Sequence, residues 1–419
     1  MKKDIVIIGG GAAGLAAALG AYDPSLDMLI IERGAMLGGI LGQCIHHGFG
    51  LEVYKEELTG PEFANKLIQE CHEKKIPYVL DTTVIDIEKK ASFIILLSSI
   101  KDGLYHIEAK KVILTTGCYE RTRGAIDIPG DRPKGIMPAG SAQRYLNMEG
   151  YLVGKNIFIL GSGDIGLIMA RRMTLEGAKV HGVADIMPYS NGLTRNIVQC
   201  LDDYQIPLYL SHTVTKIEGR ERLERITINE VDQNYQPIIG TEKTFEVDTL
   251  LLSIGLIPDV KLFNHLKFDK HPITKSAIVN QHYESSIKGL YVCGNALHVH
   301  DLVDWVVIES KHCGSQAKMN LIHNQNDTLH KIDVIPKDHI RYVIPQLISF
   351  DEYSETIELK FRSTKKITEG TLEIIQHDRV IYSKKMKHVV PAEMKHVHLP
   401  FHMIQKDAPI LVSMKEVCS

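Results

Sequence analysis

Six residues near the amino terminus have the spacing of a phosphate-binding turn. They follow an apolar segment, residues 5–8, and are Gly9, Gly10, Gly11, Ala12, Ala13 and Gly14. In such a turn the first glycine permits a tight bend, the second lets the backbone approach a pyrophosphate, and the third packs a helix on a strand. The helix that follows offers free N–H groups and a partial positive charge to phosphates. The predicted chemistry is the binding of a dinucleotide.

An acidic residue stands where such a site needs one. A second apolar segment, residues 29–31, ends at Glu32, which lies 18 residues after Gly14, and Arg33 follows it. A carboxylate at this distance accepts hydrogen bonds from the hydroxyl groups of an adenosine ribose. Because strand, turn, helix, strand and acid occur in order, this pattern is far more specific than the glycine spacing alone.

The same plan occurs a second time. An apolar strand, residues 156–160, precedes the turn Gly161, Ser162, Gly163, Asp164, Ile165 and Gly166. Asp185 then lies 19 residues after Gly166, close to the spacing in the first half. Each half continues with a strand-rich segment, which includes Val84 in the first, and closes with an apolar strand that ends at Thr116-Gly117 or at Gly255. The repeat predicts two dinucleotide-binding units.

A third apolar strand, residues 289–293, ends at Gly294-Asn295 and precedes a helix from about residue 306 to 322. It lies too far along the chain for the second unit, so we expect it to complete the first. We therefore predict an α/β fold with two Rossmann-like units, the second inserted in the first. The boundaries are 1–120 with 283–329, and 150–256. Short alternating segments in 330–419 indicate a small C-terminal β domain, which would dock a partner or cover its neighbour.

Composition excludes several classes of function. The chain has 419 residues and a formal net charge of −3, with 44% hydrophobic and 24% charged residues. This balance gives no general attraction to nucleic acid or to an anionic membrane. No apolar segment is long enough to span a bilayer, and the seven cysteines form no CxxC pair. A reducing cytoplasm is the expected compartment.

Several motifs resemble the two-dinucleotide-binding-domain flavoproteins, the fold of glutathione reductase and thioredoxin reductase. The resemblance covers about residues 1–325 and is sharpest at TTGCYER (115–121), PGDRPKGIM (129–137) and AGSAQR (139–144). These segments look like the FAD/NAD subunits of hydrogen cyanide synthase and of opine and sarcosine oxidases. GGILGQCIH (38–46) and HVHDLVD (298–304) look most like proteins that accompany glycerol-3-phosphate dehydrogenase.

The resemblance implies the cofactors and their residues. FAD would be bound by Gly9, Gly11, Ala12, Ala13, Gly14, Glu32, Arg33, Gly39, Ile40, Gln43, Val84, Thr116, Gly117, Gly294 and Asn295. The nicotinamide dinucleotide would be bound by Gly161, Gly163, Asp164, Ile165, Asp185 and Gly255. Apart from the resemblance, we expect NADH rather than NADPH, because Asp185 would accept hydrogen bonds from a 2′-hydroxyl and repel a 2′-phosphate. The helix after Gly294 would stabilise the anionic reduced flavin through its N-terminus.

Two departures from the family pattern change the expected mechanism. Disulfide reductases of this fold have a redox pair of cysteines, whereas Cys44 stands alone after the Gly38-Gly39 turn. A disulfide mechanism is therefore not expected. The third motif in the family ends Gly-Asp, but here the residue is Asn295, an amide that can still form hydrogen bonds. Cys44 and His300 are the catalytic candidates, each with the alternative of a purely structural role, and no metal site is predicted.

The function expected from these features is hydride exchange between NADH and FAD, with electrons passing to or from a partner. That partner would be a second flavoprotein or an electron-transfer subunit, in a homo- or hetero-oligomer. The alternatives are an amine- or hydroxy-acid-oxidising subunit, a free-standing NADH oxidase, and a non-enzymatic nucleotide-sensing or scaffold subunit.

Overall fold

The computed structural model describes residues 1–323, 330–350 and 355–416. The chain forms two compact units, one made of Met1–Cys118 with Pro258–Ser419 and the other of Tyr119–Ile257. The predicted fold class is confirmed, because each unit contains a parallel sheet with a fingerprint turn and the second is inserted in the sequence of the first.

The elements follow one another in this order. The chain begins with β1 (Lys2–Ile8), α1 (Ala12–Ala21), β2 (Met28–Ile31), β3 (His47–Phe49), β4 (Leu58–Thr59), α2 (Gly60–Glu73), β5 (Tyr78–Val79), β6 (Thr82–Lys89), β7 (Phe93–Ser99) and β8 (Gly103–Leu114). It continues with β9 (Cys118–Glu120), β10 (Ile136–Pro138), α3 (Ala139–Glu149), β11 (Asn156–Leu160), α4 (Asp164–Leu175), β12 (Lys179–Asp185), α5 (Thr194–Cys200), β13 (Leu208–Leu210), β14 (His212–Gly219), β15 (Leu223–Glu230), β16 (Lys243–Glu246), β17 (Thr249–Leu252) and β18 (Leu256–Pro258). The remainder consists of β19 (Leu290–Val292), α6 (Val303–His323), β20 (Lys331–Asp338), β21 (Ile340–Ile344), β22 (Leu347–Ser349), β23 (Thr356–Ser363), β24 (Ile367–Gln376), β25 (Arg379–Val389), β26 (Lys395–Pro400) and β27 (Ile410–Glu416).

The sheet of the first unit brings the predicted motifs to one edge. Its order is β5-β2-β1-β8-β7-β6, and β19 also pairs with β8. In the parallel register Ile8 lies opposite Ile31 and Leu114, and Leu114 lies opposite Val292. The residues that follow these four strand ends, including Gly9 and Glu32, therefore emerge together. This edge is where open α/β sheets bind their ligands.

The second unit repeats the arrangement with a five-stranded parallel sheet of order β10-β17-β11-β12-β13. Leu160 at the end of β11 lies opposite Ala184 on β12 and Leu252 on β17. Gly161 and Asp185 consequently emerge at the same edge. A small antiparallel sheet, β14-β15-β16, completes this unit.

Two glycines let α1 and α6 lie in direct backbone contact. A Cβ atom on Gly20 would lie 1.9 Å from the carbonyl oxygen of Lys311, and one on Gly314 would lie 1.9 Å from that of Ala17. Both distances are far below van der Waals contact, so neither position accepts a side chain while the helices remain in place. None of the helices in the described part of the chain has the length and apolar character required to span a bilayer.

The C-terminal β domain has two sheets around one apolar core. Their orders are β22-β20-β27-β24-β25 and β21-β23-β26, and the core extends from Ile332 to Met414. Tyr342 and Ile344 of β21 belong instead to the core formed around β1. Strand β21 therefore joins the C-terminal domain to that core.

We expect Gly314→Ala to lower the free energy of unfolding by about 3 kcal/mol, because an overpacked contact must be relieved by separating two buried helices. Urea unfolding followed by circular dichroism measures this change. Gly42→Ala is the matched control, because no atom lies within 4 Å of the added Cβ there. Equal stabilities of the two variants would contradict the prediction.

Candidate functional site: two dinucleotide cradles and a buried ion network

Gly9 and Gly14 of the first fingerprint have no room for a side chain. Gly9 has a φ of 110°, and a Cβ there would lie 2.6 Å from the carbonyl oxygen of Thr115. A Cβ on Gly14 would lie 1.8 Å from the carbonyl oxygen of Gly9. Helix α1 begins directly after Gly11 without a side-chain cap, so its first N–H groups are available to an anion.

Glu32 is held at this turn by two backbone donors. The N–H of Gly10 donates to Oε2 at 2.6 Å, and the N–H of Gly34 donates to Oε1 at 2.7 Å. Arg33 beside it is exposed. The N–H of Thr82 donates to the carbonyl of Glu32 at 3.1 Å, so β6 with Val84 begins next to the acid. The structure thus brings these predicted residues together.

We call the site formed by the Gly9–Gly14 turn, Glu32 and the N-terminus of α1 the first cradle. The Gly38-Gly39 turn forms another of its walls. The N–H of Gly38 donates to the carbonyl of Gly10 at 2.9 Å, and a Cβ on Gly39 would lie 3.0 Å from Cα of Gly11. Next to this turn Ile40 is 65% exposed, whereas Gln43 is buried. A ligand on the fingerprint would therefore meet Ile40 before Gln43.

The turn at Gly294 closes the cradle from the other side. A Cβ on Gly294 would lie 2.8 Å from Cβ of Ala13, so this turn contacts the first turn of α1. Oδ1 of Asn295 accepts the backbone N–H of His300 at 3.0 Å, which leaves Nδ2 as the amide's donor. The hydroxyl of Thr116, in contrast, donates to the carbonyl of Asp259 at 2.5 Å and is used internally. Gly117, at φ 73°, follows with open space around its Cα.

The second cradle is built like the first. A Cβ on Gly161 would lie 2.0 Å from the carbonyl oxygen of Ser253, and α4 begins after Gly163 without a side-chain cap. The N–H of Ser162 donates to Oδ2 of Asp185 at 2.8 Å, the counterpart of the bond between Gly10 and Glu32. Asp185 is only 4% exposed.

Two residues of the second fingerprint point away from it. Oδ1 of Asp164 accepts the N–H of Leu193 at 2.8 Å and so fixes a neighbouring loop, while Ile165 packs on the unit's core. Beside Gly255, whose φ is 102°, lies Arg121, a residue that the motif spacing did not single out. Its N–H donates to the carbonyl of Gly255 at 3.0 Å, and its exposed side chain approaches that glycine.

A buried ion network stands behind the Gly294 turn. Glu309 of α6 accepts the N–H of Gly294 on Oε1 at 2.9 Å, and on Oε2 it meets Nε2 of His298 at 2.9 Å and Nζ of Lys360 at 2.7 Å. Nε2 of His300 lies 3.3 Å from the same oxygen, and its Nδ1 lies 3.2 Å from Oδ1 of Asn295. Nothing in the sequence pattern pointed to Glu309 or Lys360.

The network is centred on an ion pair between Glu309 and Lys360. Burial alone would raise the pKa of Glu309, but Lys360 and the two histidines outweigh it and hold that pKa well below its usual range. Burial lowers the pKa of His298 to about 3. Oxygen and nitrogen atoms of His298, His300 and Glu309 lie within 4.8 Å of one another, as metal ligands would. The Lys360 ammonium is already the cation at this position, so the ligand atoms of the two histidines and Glu309 do not fit an additional metal ion.

Asp304, in the first turn of α6, fixes a loop of the same region. Its carboxylate accepts N–H groups of Gly50 at 3.1 Å and of Glu52 and Val53 at 3.0 Å. Helix α6 begins at Val303, three residues before the predicted start. The partial positive charge at the N-terminus of α6 is therefore partly neutralised by the carboxylate of Asp304.

Cys44 lies after the Gly38-Gly39 turn, and its thiol donates to the carbonyl of Ile40 at 3.4 Å. Burial raises the pKa of Cys44 to about 12, so the reactive thiolate is strongly disfavoured. The six cysteines among the described residues form no disulfide. His300, the other catalytic candidate, belongs to the buried network, and its side chain is 2% exposed.

Two glycine-lined turns at sheet edges, each with an acid bonded back to the turn, define a flavoprotein of the type that binds two dinucleotides. The chain belongs to the pyridine nucleotide-disulphide oxidoreductase family, whose model matches residues 3–324. FAD and NAD(P)H are the cofactors of this family. In both units the glycine turn and the uncapped N-terminus of the helix that follows it fit such ligands.

Comparisons with individual proteins agree with the family. Subunit HcnB of hydrogen cyanide synthase from Pseudomonas protegens is 23% identical over 62% of this chain and 58% of its own length. Sarcosine oxidase subunit alpha from a Corynebacterium species is 25% identical over 71% of this chain, but the match covers only 31% of that subunit. The crystal structure of T. acidophilum thioredoxin reductase has the same fold, with a TM-score of 0.61 and 22% identity over 77% of this chain and 98% of its own.

We expect Cys44→Ser to reduce its flavin with NADH at a rate within about threefold of the unchanged protein, because a protonated thiol takes no part in electron transfer. Anaerobic stopped-flow absorbance at the flavin band measures the rate. In the unchanged protein, iodoacetamide at pH 8 should alkylate Cys44 at least about a hundredfold more slowly than a small-molecule thiol. Rapid alkylation at this position, or a loss of several orders of magnitude in the variant, would refute this assignment.

Proposed function

We propose that this chain exchanges hydride between NADH and FAD and passes electrons to or from a partner redox subunit, without a redox dithiol. The observation that supports this most directly is the presence of two similarly built dinucleotide cradles in one chain. Both have a helix N-terminus that follows a glycine turn and an acid bonded to the turn's second residue. The proposed compartment is the cytoplasm.

In the first cradle we assign FAD to the fingerprint and the turns around it. The N-terminus of α1 would bind the pyrophosphate, and Glu32 would accept hydrogen bonds from the adenosine ribose. Nδ2 of Asn295 would donate to the remainder of the cofactor. FAD itself supplies the hydride chemistry, and the protein supplies position and electrostatics.

In the second cradle the N-terminus of α4 would bind the pyrophosphate of NADH, with the Arg121 guanidinium as a further contact to its negative charge. Asp185 would set the preference for NADH. Its two oxygens already accept N–H groups from Ser162 and Met187, so it acts mainly by repelling a 2′-phosphate.

The state of Cys44 supports the transfer of electrons to a partner protein rather than to a small disulfide. Relatives with a dithiol use it to reach a small disulfide, but the Cys44 thiol has a raised pKa and forms no disulfide. Two of the relatives, HcnB and sarcosine oxidase subunit alpha, are named as subunits. Those names also favour a second candidate function, the oxidation of an amine or hydroxy acid.

We expect anaerobic NADH to bleach the flavin fully within seconds, and NADPH to do so at least about tenfold more slowly because of the Asp185 carboxylate. Asp185→Asn should narrow that difference, whereas Asp203→Asn, which alters an exposed acid of the same unit, should not. Stopped-flow absorbance with each coenzyme measures these rates. Bleaching by an amine or a hydroxy acid but not by NADH would favour the second candidate, and faster reduction by NADPH would overturn the assignment of Asp185.

A partner subunit predicts slow turnover with oxygen and fast turnover with artificial dyes, because the flavin's natural oxidant is then another redox protein. Steady-state NADH oxidation with each acceptor tests this. Purification of the untagged protein from its own host should bring a second redox protein with it. Fast oxygen turnover by a lone homo-oligomer would instead identify a free-standing NADH oxidase.

A further inference from the structure

Strand β23 of the C-terminal domain presents charged side chains to the cofactor-binding part of the first unit. Lys360 and Arg362 lie two residues apart, so they point to the same face of the strand. Nη2 of Arg362 donates to the carbonyl of Val299 at 3.0 Å and to the carboxylate of Asp301. Nζ of Lys360 donates to Glu309 at 2.7 Å and to the hydroxyl of Tyr283 at 3.0 Å.

One carboxylate connects this strand to the cradle. Glu309 has no exposed side-chain surface, and its two oxygens have different partners. Oε2 accepts from Lys360, and Oε1 accepts the N–H of Gly294, the glycine that contacts Ala13 of α1. The position of the Gly294-Asn295 turn therefore depends on an ion pair whose cation comes from a strand 51 residues further along than Glu309.

The pair of Glu309 and Lys360 has no net charge only while the carboxylate is ionised and the ammonium is protonated. Burial alone would lower the pKa of Lys360, but Glu309 outweighs it and raises that pKa well above its usual range. A buried charge that loses its partner is strongly disfavoured, so it takes up or releases a proton instead. The other titratable groups that face the pair are Tyr283, His298, His300, His312, Cys313 and Glu358.

We propose that Lys360 is a positioning residue for the flavin site, which fixes the Gly294-Asn295 turn through Glu309 and balances the charge next to the bound cofactor. The proposal rests on the assignment of FAD to the first cradle. It makes the C-terminal β domain a part of the flavin site, although none of the domain's described residues belongs to the cradle itself.

Two substitutions test the proposal because they leave opposite charges behind. Lys360→Met leaves a lone carboxylate at alkaline pH, so the flavin's midpoint potential should fall below that of the unchanged protein. This difference should vanish as the pH falls and Glu309 takes up a proton. Glu309→Gln leaves a lone ammonium at acid pH, so the potential should rise, and the difference should vanish as the pH increases and Lys360 loses its proton.

The affinity for FAD provides a second readout, and its pH dependence should again be opposite in the two single variants. Each single variant should bind FAD roughly tenfold more weakly at the pH where its remaining charge is unpaired. Fluorescence of released FAD over a pH series measures this in the absence of turnover. In the double variant, neither the midpoint potential nor the affinity for FAD should show these pH-dependent differences. Lys360→Arg should resemble the unchanged protein. If Lys360→Met does not fold, Lys360→Gln replaces it.

Lys387→Met is the matched control, because it removes the same charge from an exposed ion pair between Lys387 on β25 and Glu369 on β24, whose charged atoms lie 2.7 Å apart. It should alter neither the potential nor the affinity. Shifts of the same sign in Lys360→Met and Glu309→Gln, or no shift in either, would overturn the proposal even if NADH still reduces the flavin. Failure of the unchanged protein to bind FAD would instead overturn the proposed function.

Discussion

Direct backbone contact around α1 is the constraint on which the rest of the molecule depends. This helix must present its N-terminus at the ends of β1 and β8, and it must also lie against α6. At Gly14 and Gly314 the neighbouring backbone is less than 2 Å from where a Cβ atom would be. Nine of the ten residues of α1 are buried, so the helix cannot tilt to relieve a larger side chain. This close packing holds the uncapped N-terminus of α1 at the ends of the strands.

The cradles could be predicted from the sequence because each depends on local spacing. A glycine turn between a strand and a helix, followed by an acid at the next strand end, defines both Glu32 and Asp185 without knowledge of distant contacts. The same reasoning from local spacing could not show in which direction each side chain points. Asp164 and Thr116 belong to the expected motifs, but their side chains bond to Leu193 and Asp259 because neighbouring loops offer partners that spacing does not reveal.

The ion network was beyond prediction for a different physical reason. Glu309 lies in a helix and Lys360 in an alternating strand, and each residue by itself is typical of a solvated surface position. The fold brings both side chains together out of water, and their pairing offsets the cost of that burial. The expectation that this domain docks a partner or covers its neighbour therefore did not include the ion pair that its Lys360 forms with Glu309.

Strand β25 has a consequence for how this protein can assemble. It lies at the end of its sheet among the described strands, and it includes Lys384, Lys385 and Lys387. An unpaired strand edge invites a strand from another molecule, and closely spaced ammonium groups oppose that addition by repulsion and by the cost of removing their water. Copies of this chain are therefore poor candidates for edge-to-edge pairing at β25. A foreign strand could extend this sheet only if it supplied carboxylates in matching register.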